Sequence, residues 1–470
     1  MKKKVKYLLK NIFLFMISGF VPKLLSFLLI PIYTSSLSRT DYGIFDLITT
    51  TVSLLIPIFT LDIQDAVLVF SMDKEYKNDE VFSFALKINL IGFIPIVFIT
   101  LIVIFLNIFN INLFFYLFFI VYYIITALSN SVNLFCKGID KVKTIIISTI
   151  INSFLTLILN ILLLKVFKIG ILGYLIANSL GMLAALIFSV LNAKLYNYIK
   201  VSHNKVLHSN MIKFSIPLIF SVIAWWINNA SDRYILTLIS GISISGLYAI
   251  SYKIPNILTI FQNVFFQAWS ISAIKEYEKN DSDGFVGKMY TILNFVLCLM
   301  CSIIMILNVF FAKILYVGDF FDAWIYVPPL LLSVVFNAMS LFLGSIFTAV
   351  KDTKTLSVST VIGAIMNTLL NIFLIKRFSA YGAAIATVFG YFVVLLIRNI
   401  IVKKHINMKT SYKKNYFSYL LLVFQIVLAY YGNKYLLFQL FVVVSIIVLY
   451  KDSIFELKKF LLNFIKKGDK

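Results

Sequence analysis

The chain has 470 residues, 61% of hydrophobic type and only 13% charged, and its mean hydropathy is +0.96. A water-soluble domain of that length needs a far larger polar surface, so the composition excludes one and calls for a bilayer as solvent. The balance of 42 Lys+Arg against 20 Asp+Glu is basic, but the lysines sit in short connections between apolar runs. That is the positive-inside pattern of a membrane protein and not a nucleic-acid face.

A helix needs roughly 20 apolar residues to cross a bilayer, and fourteen runs qualify, the last two being short. Only helices are expected, because an open sheet edge cannot be satisfied in lipid. Span 1 (11–33) follows Met1 and three lysines. It is long and lacks a small-residue cleavage site, so it is expected to stay as the first membrane helix. It carries Pro22 and Lys23 at its midpoint. Span 2 (43–69) carries Asp46, Pro57, Asp62, Gln64 and Asp65. Spans 3 to 6 (84–106, 113–135, 144–164, 170–191) are almost free of charge. Span 7 (212–238) carries Trp225, Asn228, Asn229, Asp232 and Arg233, and span 8 (244–270) carries Tyr252, Lys253, Pro255, Asn256, Gln262, Asn263 and Gln267. Span 9 (286–311) contains Cys298 and Cys301, which lack polar partners and read as small core residues, as does Cys136. Spans 10 to 14 follow at 325–349, 356–375, 382–402, 416–432 and 435–450. Beyond them Ile454, Leu457, Leu461 and Phe464 form an apolar stripe among lysines, the pattern of an amphipathic helix on an anionic leaflet.

With both termini in the cytoplasm and sides alternating, inside segments hold 31 of the Lys+Arg and outside loops only 7. That asymmetry sets the orientation. The chain also repeats itself. An offset of 211 pairs Lys143, Thr144, Ser148, Thr149, Asn160, Lys165 and Phe167 with Lys354, Thr355, Ser359, Thr360, Asn371, Lys376 and Phe378. After a two-residue deletion, Gly173, Ala177 and Gly181 pair with Gly382, Ala386 and Gly390. Spans 5–6 therefore match spans 11–12, a shift of six, so both copies run in the same direction. The expected organisation is an N-lobe (1–192), a cytoplasmic linker (193–211), a C-lobe (212–403), an extra helix pair (404–450) and the amphipathic tail (451–470).

Ionisable groups at bilayer depth are costly and mark pathways by default. Here they concentrate in spans 1, 2, 7 and 8, the equivalent first pair of each lobe. Trp225, Asn229 and Arg233 share one helix face, and on span 8 Tyr252, Asn256 and Asn263 share a stripe. Lys23, Arg233 and Lys253 suit a diphosphate, since Arg grips phosphate bidentately and Lys is a mobile point charge. Trp225, Asn229, Asp232, Tyr252, Asn256, Asn263 and Gln267 suit sugars or the cavity wall, and Asp46 is a candidate for ion coupling. Competing roles are snorkelling for Arg233, near its helix end, structural pairing for Asp46, and an interfacial belt for the tryptophans.

Two series sharpen this. Asp232-Arg-Tyr-Ile-Leu, Gly246-Leu-Tyr-Ala-Ile-Ser-Tyr-Lys-Ile and Phe265-Phe-Gln-Ala-Trp-Ser run across spans 7 and 8. Pro22-Lys-Leu-Leu-Ser-Phe-Leu-Leu-Ile-Pro-Ile-Tyr and Asp41-Tyr-Gly-Ile-Phe-Asp lie near the N-terminus. With Lys351-Asp-Thr-Lys-Thr, the chain resembles the Wzx-type polysaccharide-repeat flippases over residues 8–403. The resemblance implies an all-α, V-shaped fold of two six-helix lobes like that of the multidrug exporters of the same superfamily. It implies a multi-pass protein of the bacterial inner membrane that carries undecaprenyl-diphosphate-linked oligosaccharide to the outer leaflet by alternating access. Anionic phospholipids and the polysaccharide polymerase and chain-length machinery are then the expected partners, with a monomer, no cofactor, no metal and no nucleic acid.

Two rivals differ in what they need. A cation-coupled drug exporter of the same fold requires Asp46 or Asp232 as a working acid. A membrane enzyme requires catalytic groups, but the histidines, His203, His208 and His405, fall in expected cytoplasmic connections, and the longest outside loop, 312–324, is short.

Overall fold

A computed structural model of the protein describes residues 22–73, 75–107, 112–200, 204–275, 281, 284–350 and 352–452. Among them the chain is helical, with no strand, and each expected span has a helical counterpart. The helices are α1 (22–36), α2 (Arg39–Phe59), α3 (Ile63–Met72), α4 (Asn78–Phe105), α5 (Leu113–Gly138), α6 (Val142–Asn160) and α7 (Ile171–Asn192). They continue with α8 (Lys205–Ser240), α9 (Ile242–Ser251), α10 (Pro255–Lys275), α11 (Phe285–Leu315), α12 (Val327–Ala349), α13 (Thr353–Val402), α14 (Tyr412–Tyr430) and α15 (Leu436–Leu449). Among the described residues eight helical stretches are long and apolar enough to cross a membrane. On α4, Ile94 and Phe98 are 66% and 64% exposed, an apolar face that only lipid can cover. The amphipathic tail proposed for 451–470 lies outside the described residues beyond Asp452.

Two expected spans are broken. Span 2 divides into α2 and α3, because Leu61 and Asp62 adopt left-handed backbone (φ 52° and 49°). The close approach of α4 suits this corner: a Cβ on Gly92 would lie 2.2 Å from the Phe59 carbonyl oxygen. Span 8 divides into α9 and α10 through a turn at 252–254. Pro255 is the first residue of α10, where its missing N–H costs nothing. The proline inside the expected span 8 thus marks a helix break, and Lys253 lies in the turn. The outside loop 312–324 is also more ordered than expected: α11 runs to Leu315 and a 3-10 helix spans Gly318–Tyr326.

The chain forms two compact units, Met1–Trp226 and Ile227–Lys470. In the first, Ile63, Val67, Phe82, Phe135, Leu207 and Met211 form a buried core. Asn89 on α4 donates to the Ser131 hydroxyl on α5 at 2.8 Å, and the Lys200 ammonium pairs with Asp79 at 2.8 Å. His208 is not in a loop. It lies on α8, its ring stacked 3.9 Å from that of Phe84.

In the second unit α12 is buried along most of its length, with Trp269 stacked on Phe342 at 4.1 Å. The last helix pair docks on α11 through buried polar groups. Asn294 donates to Tyr450 at 2.8 Å and accepts from Tyr419 at 2.6 Å, while Gln425 donates to the Ser302 carbonyl at 3.0 Å. Because lipid offers no competing partners, such groups hold helices together. Cys136, Cys298 and Cys301 are buried free thiols, as expected.

The repeat is visible in the packing of each unit. Gly173 packs on Leu163, and Gly382 on Leu374; Gly181 packs on Asn152 and Thr156, and Gly390 on Gly363 and Asn367. Each pair of neighbours is separated by the same 211-residue offset. Gly170 (φ 67°, ψ −142°) and Ser379 (φ 51°, ψ −135°) are equivalent residues in nearly the same backbone conformation. At Ser379 it divides the long α13 into two passes.

Candidate functional site

A buried charged node in the second unit grows from one sequence accident, an acid followed by a base in an apolar helix. Asp232 is 3% exposed. Its Oδ2 accepts from the Tyr248 hydroxyl at 2.8 Å and the Tyr252 hydroxyl at 3.1 Å, and its Oδ1 accepts from the Arg233 backbone N–H at 2.9 Å. The Arg233 guanidinium lies 3.6 Å from Oδ1 and sits 5.0 Å over the Tyr252 ring. Tyr248 and Tyr252 are one helical turn apart at the end of α9, so both hydroxyls reach the same carboxylate. The Thr387 hydroxyl is 3.5 Å from that of Tyr248.

These contacts decide how the charges behave. A lone carboxylate at this depth costs several kcal/mol, and a partner cation plus hydrogen bonds offset it. The Arg233 side chain is 15% exposed and folds onto Asp232 and Tyr252. The node therefore presents a held cation backed by an acid.

The other expected site residues distribute as follows. Lys253 is half-buried in the turn beside Tyr252, and Asn256 and Asn263 are exposed on α10. The helix break removes the continuous stripe that would have joined Tyr252 to them. The side chains of Trp225, Asn229 and Gln267 lie outside what is described. In the first unit Lys23 is exposed on α1, and Asp46 is half-buried on α2. Near Asp46 the rings of Tyr33 and Phe45 pack on Tyr174 at 4.6 and 4.5 Å. The Trp226 indole N–H donates to the Thr50 carbonyl at 3.0 Å.

Three features went unseen in the sequence. Tyr248 stood inside the quoted series, but its role needs the α9 geometry. Arg398, inside span 12, was not singled out, yet it is a cation only 3% exposed within α13. It donates to the Ser340 carbonyl (2.8 Å), Ser359 Oγ (3.0 Å) and Thr360 Oγ1 (2.9 Å). Its flanks, Leu395-Leu-Ile and Ile400-Ile-Val, were the available signal. Third, a cavity of about 240 Å³ between α5, α6 and α7 is lined by Ser129, Asn130, Asn133, Ser148, Thr149 and Asn152. The polar load is therefore not confined to spans 1, 2, 7 and 8.

Residues 8–271 match the family described as polysaccharide biosynthesis protein. No curated protein matches in sequence. Among solved structures, the lipid II flippase MurJ in an inward closed conformation is 13% identical, with a TM-score of 0.68 over 94% of this chain and 100% of its own. An inward-facing multidrug resistance transporter of the MATE family, MOP superfamily, is 14% identical, with a TM-score of 0.63 over 87% and 96%. A MOP superfamily transporter from Pyrococcus furiosus, described by a binding pocket of reverse polarity, gives 13% and 0.55 over 89% and 96%. At these identities the likeness is one of fold, shared with these transporter structures.

Proposed function

The chain belongs to the polysaccharide biosynthesis protein family, and from that premise we propose that it is a flippase for undecaprenyl-diphosphate-linked oligosaccharide repeat units. It moves them from the cytoplasmic to the outer leaflet of the bacterial inner membrane by alternating access, with both termini cytoplasmic, and leaves the cargo covalently unchanged. The observation that carries this reading is a guanidinium, Arg233, kept inside an apolar helix by Asp232 and Tyr252. A cation kept at that depth suits a phosphate-bearing cargo.

In this reading Lys23, Arg233 and Lys253 take the diphosphate. Trp225, Asn229, Tyr252, Asn256, Asn263 and Gln267 meet sugar hydroxyls and pyranose faces. Asp232 serves Arg233 and not the cargo, and Asp46 remains the candidate for ion coupling. The exporter alternative needs Asp232 as a working acid, and its engagement by two tyrosines and an arginine counts against that. The 193–211 segment is the linker between lobes, and the 451–470 tail meets anionic phospholipids.

The test is surface-polysaccharide export in cells in which this chain is the sole flippase. Lys23→Gln/Arg233→Gln/Lys253→Gln at normal protein level should abolish export. Because Arg233 also anchors Asp232, Lys23→Gln/Lys253→Gln is the cleaner arm and should cut export strongly. Unchanged export in both variants would remove the proposed site.

A further inference from the structure

The fold's first unit holds a second cationic pocket, at the opposite end from the lysine-rich connections. A cavity of about 230 Å³ is lined by Ser35, Ser36, Leu164, Lys165, Lys168 and Gly170. It lies where the end of α1 meets the connection between α6 and α7. Lys165 and Lys168 are two of the seven Lys+Arg that the charge count assigns to the outside, the side on which such residues are normally depleted.

Local backbone builds the pocket. After Asn160 the chain widens into a π-helical turn, Ile161–Val166, a form concentrated at functional sites. It closes through Phe167 N–H to the Leu162 carbonyl (2.8 Å) and Ile169 N–H to the Leu163 carbonyl (2.9 Å). Lys168 and Gly170 then take positive φ (52° and 67°) and fold the connection back toward Ser35. The Lys165 ammonium donates to Ser35 Oγ at 2.6 Å, which fixes it over the cavity and leaves two of its three N–H donors for a ligand. Among the described residues no carboxylate pairs with Lys165 or Lys168. The Ser35 hydroxyl spends its own hydrogen on the Pro31 and Ile32 carbonyls, so two ammonium groups and the Ser36 hydroxyl, around a small cavity without a counter-charge, are the donor set for a phosphate-type anion.

Size and surroundings narrow the ligand. The cavity is below the roughly 300–1,000 Å³ of pockets that enclose drug-sized molecules, so it admits a phosphate or diphosphate but not an oligosaccharide. Val166 and Phe167, beside the lysines, are 62% and 65% exposed, an apolar shoulder suited to the chain of a lipid whose headgroup enters the pocket. We propose that this pocket is an outer-face binding site for phosphate or diphosphate headgroups, where the cargo's diphosphate is received as it reaches the outer leaflet. The cargo assignment rests on the flippase reading; the anion site itself does not.

The test reads the two lysines directly. In spheroplasts, a membrane-impermeant amine-acylating reagent is applied outside, and modification of Lys165 and Lys168 is measured by peptide mass spectrometry. Both should react; reaction only after permeabilisation would overturn the outer-face assignment. The full chain in phosphatidylcholine nanodiscs is then acylated with and without inorganic pyrophosphate, and again with undecaprenyl diphosphate or phosphatidylglycerol in the disc. Protection by pyrophosphate shows that the free anion suffices. Protection by a lipid alone identifies a headgroup, and the two lipids distinguish diphosphate from monophosphate. Lys165→Gln/Lys168→Gln, exposed changes that spare the fold, should weaken pyrophosphate binding by roughly tenfold or more, the effect of losing charge-assisted hydrogen bonds. No protection by any of the three, or binding by the double variant equal to the unaltered chain, overturns the proposal. Protection retained in Lys23→Gln/Lys253→Gln, whatever its export, separates this site from the flippase reading.

Discussion

The Tyr248 hydroxyl donates to the Asp232 carboxylate over 2.8 Å, so the acid next to Arg233 is already engaged before any ligand arrives. Arg233→Ala removes the balancing cation and leaves Asp232 buried and unpaired. Breaking such a pair costs about 3–5 kcal/mol. A large drop in unfolding temperature is expected for Arg233→Ala in detergent, with much of it recovered in Asp232→Asn/Arg233→Ala. Equal losses in the single and double variants would mean that Arg233 does not balance Asp232.

The repeat-related glycines separate by what they touch. A Cβ on Gly382 would sit 2.3 Å from the Leu374 carbonyl oxygen, which is backbone and cannot move aside, whereas one on Gly173 would first meet the Leu163 side chain at 2.9 Å. Gly382→Ala should destabilise by about 1–3 kcal/mol, as overpacking does, and Gly173→Ala by less. Thermal unfolding of the two variants measures the order.

The last helix pair depends on Asn294, which joins Tyr419 and Tyr450. Asn294→Leu takes away the acceptor of the buried Tyr419 hydroxyl, at about 1–3 kcal/mol for a buried group left unsatisfied, while Tyr450 keeps its bond to Asn415. Limited proteolysis should then cut the connection at 404–411 faster than in the unaltered chain.

At the start of α13, hydrogen bonds from the Thr355 hydroxyl and backbone N–H, with His405 beside it, hold the Asp352 carboxyl below the usual carboxylate range. A carboxyl lowered in the folded state adds stability above its unfolded pKa, lost as pH falls through the folded value. The gap in unfolding temperature between the unaltered chain and Asp352→Asn should therefore be full at neutral pH and close in acid below pH about 4, near the unperturbed Asp value. A gap unchanged down to acid would contradict this role.

Much of the fold could be read because lipid imposes a simple code: long apolar runs, lysines on one side and a repeat strong enough to align. The breaks at 60–62 and 252–254 are harder. Leu61 in left-handed backbone has no local signal, and the α4 packing of Gly92 against Phe59 and Thr60 beside it is a contact distant in sequence. Pro255 did announce its break, but a proline inside an apolar run reads equally as a kink. Arg398 was hidden because its partners, Ser340, Ser359 and Thr360, lie about 40 to 60 residues away in sequence. The serines and asparagines around the α5–α7 cavity were hidden for a similar reason. They are unremarkable on each helix alone and gather only when three helices pack. Asp232, Arg233 and Tyr252 stood out in the sequence as polar groups in apolar spans, but not that the acid pairs with the arginine and both tyrosines.

The central claim is that cations held by this fold carry a lipid-linked diphosphate across the bilayer. The most direct measurement reconstitutes the purified chain in vesicles with undecaprenyl-diphosphate-linked oligosaccharide and follows its arrival in the opposite leaflet with an impermeant sugar-binding probe. Rapid transfer by the unaltered chain and its loss in Lys23→Gln/Lys253→Gln are the predicted results. Transfer no faster than in protein-free vesicles, or equal transfer by the variant, would contradict the account.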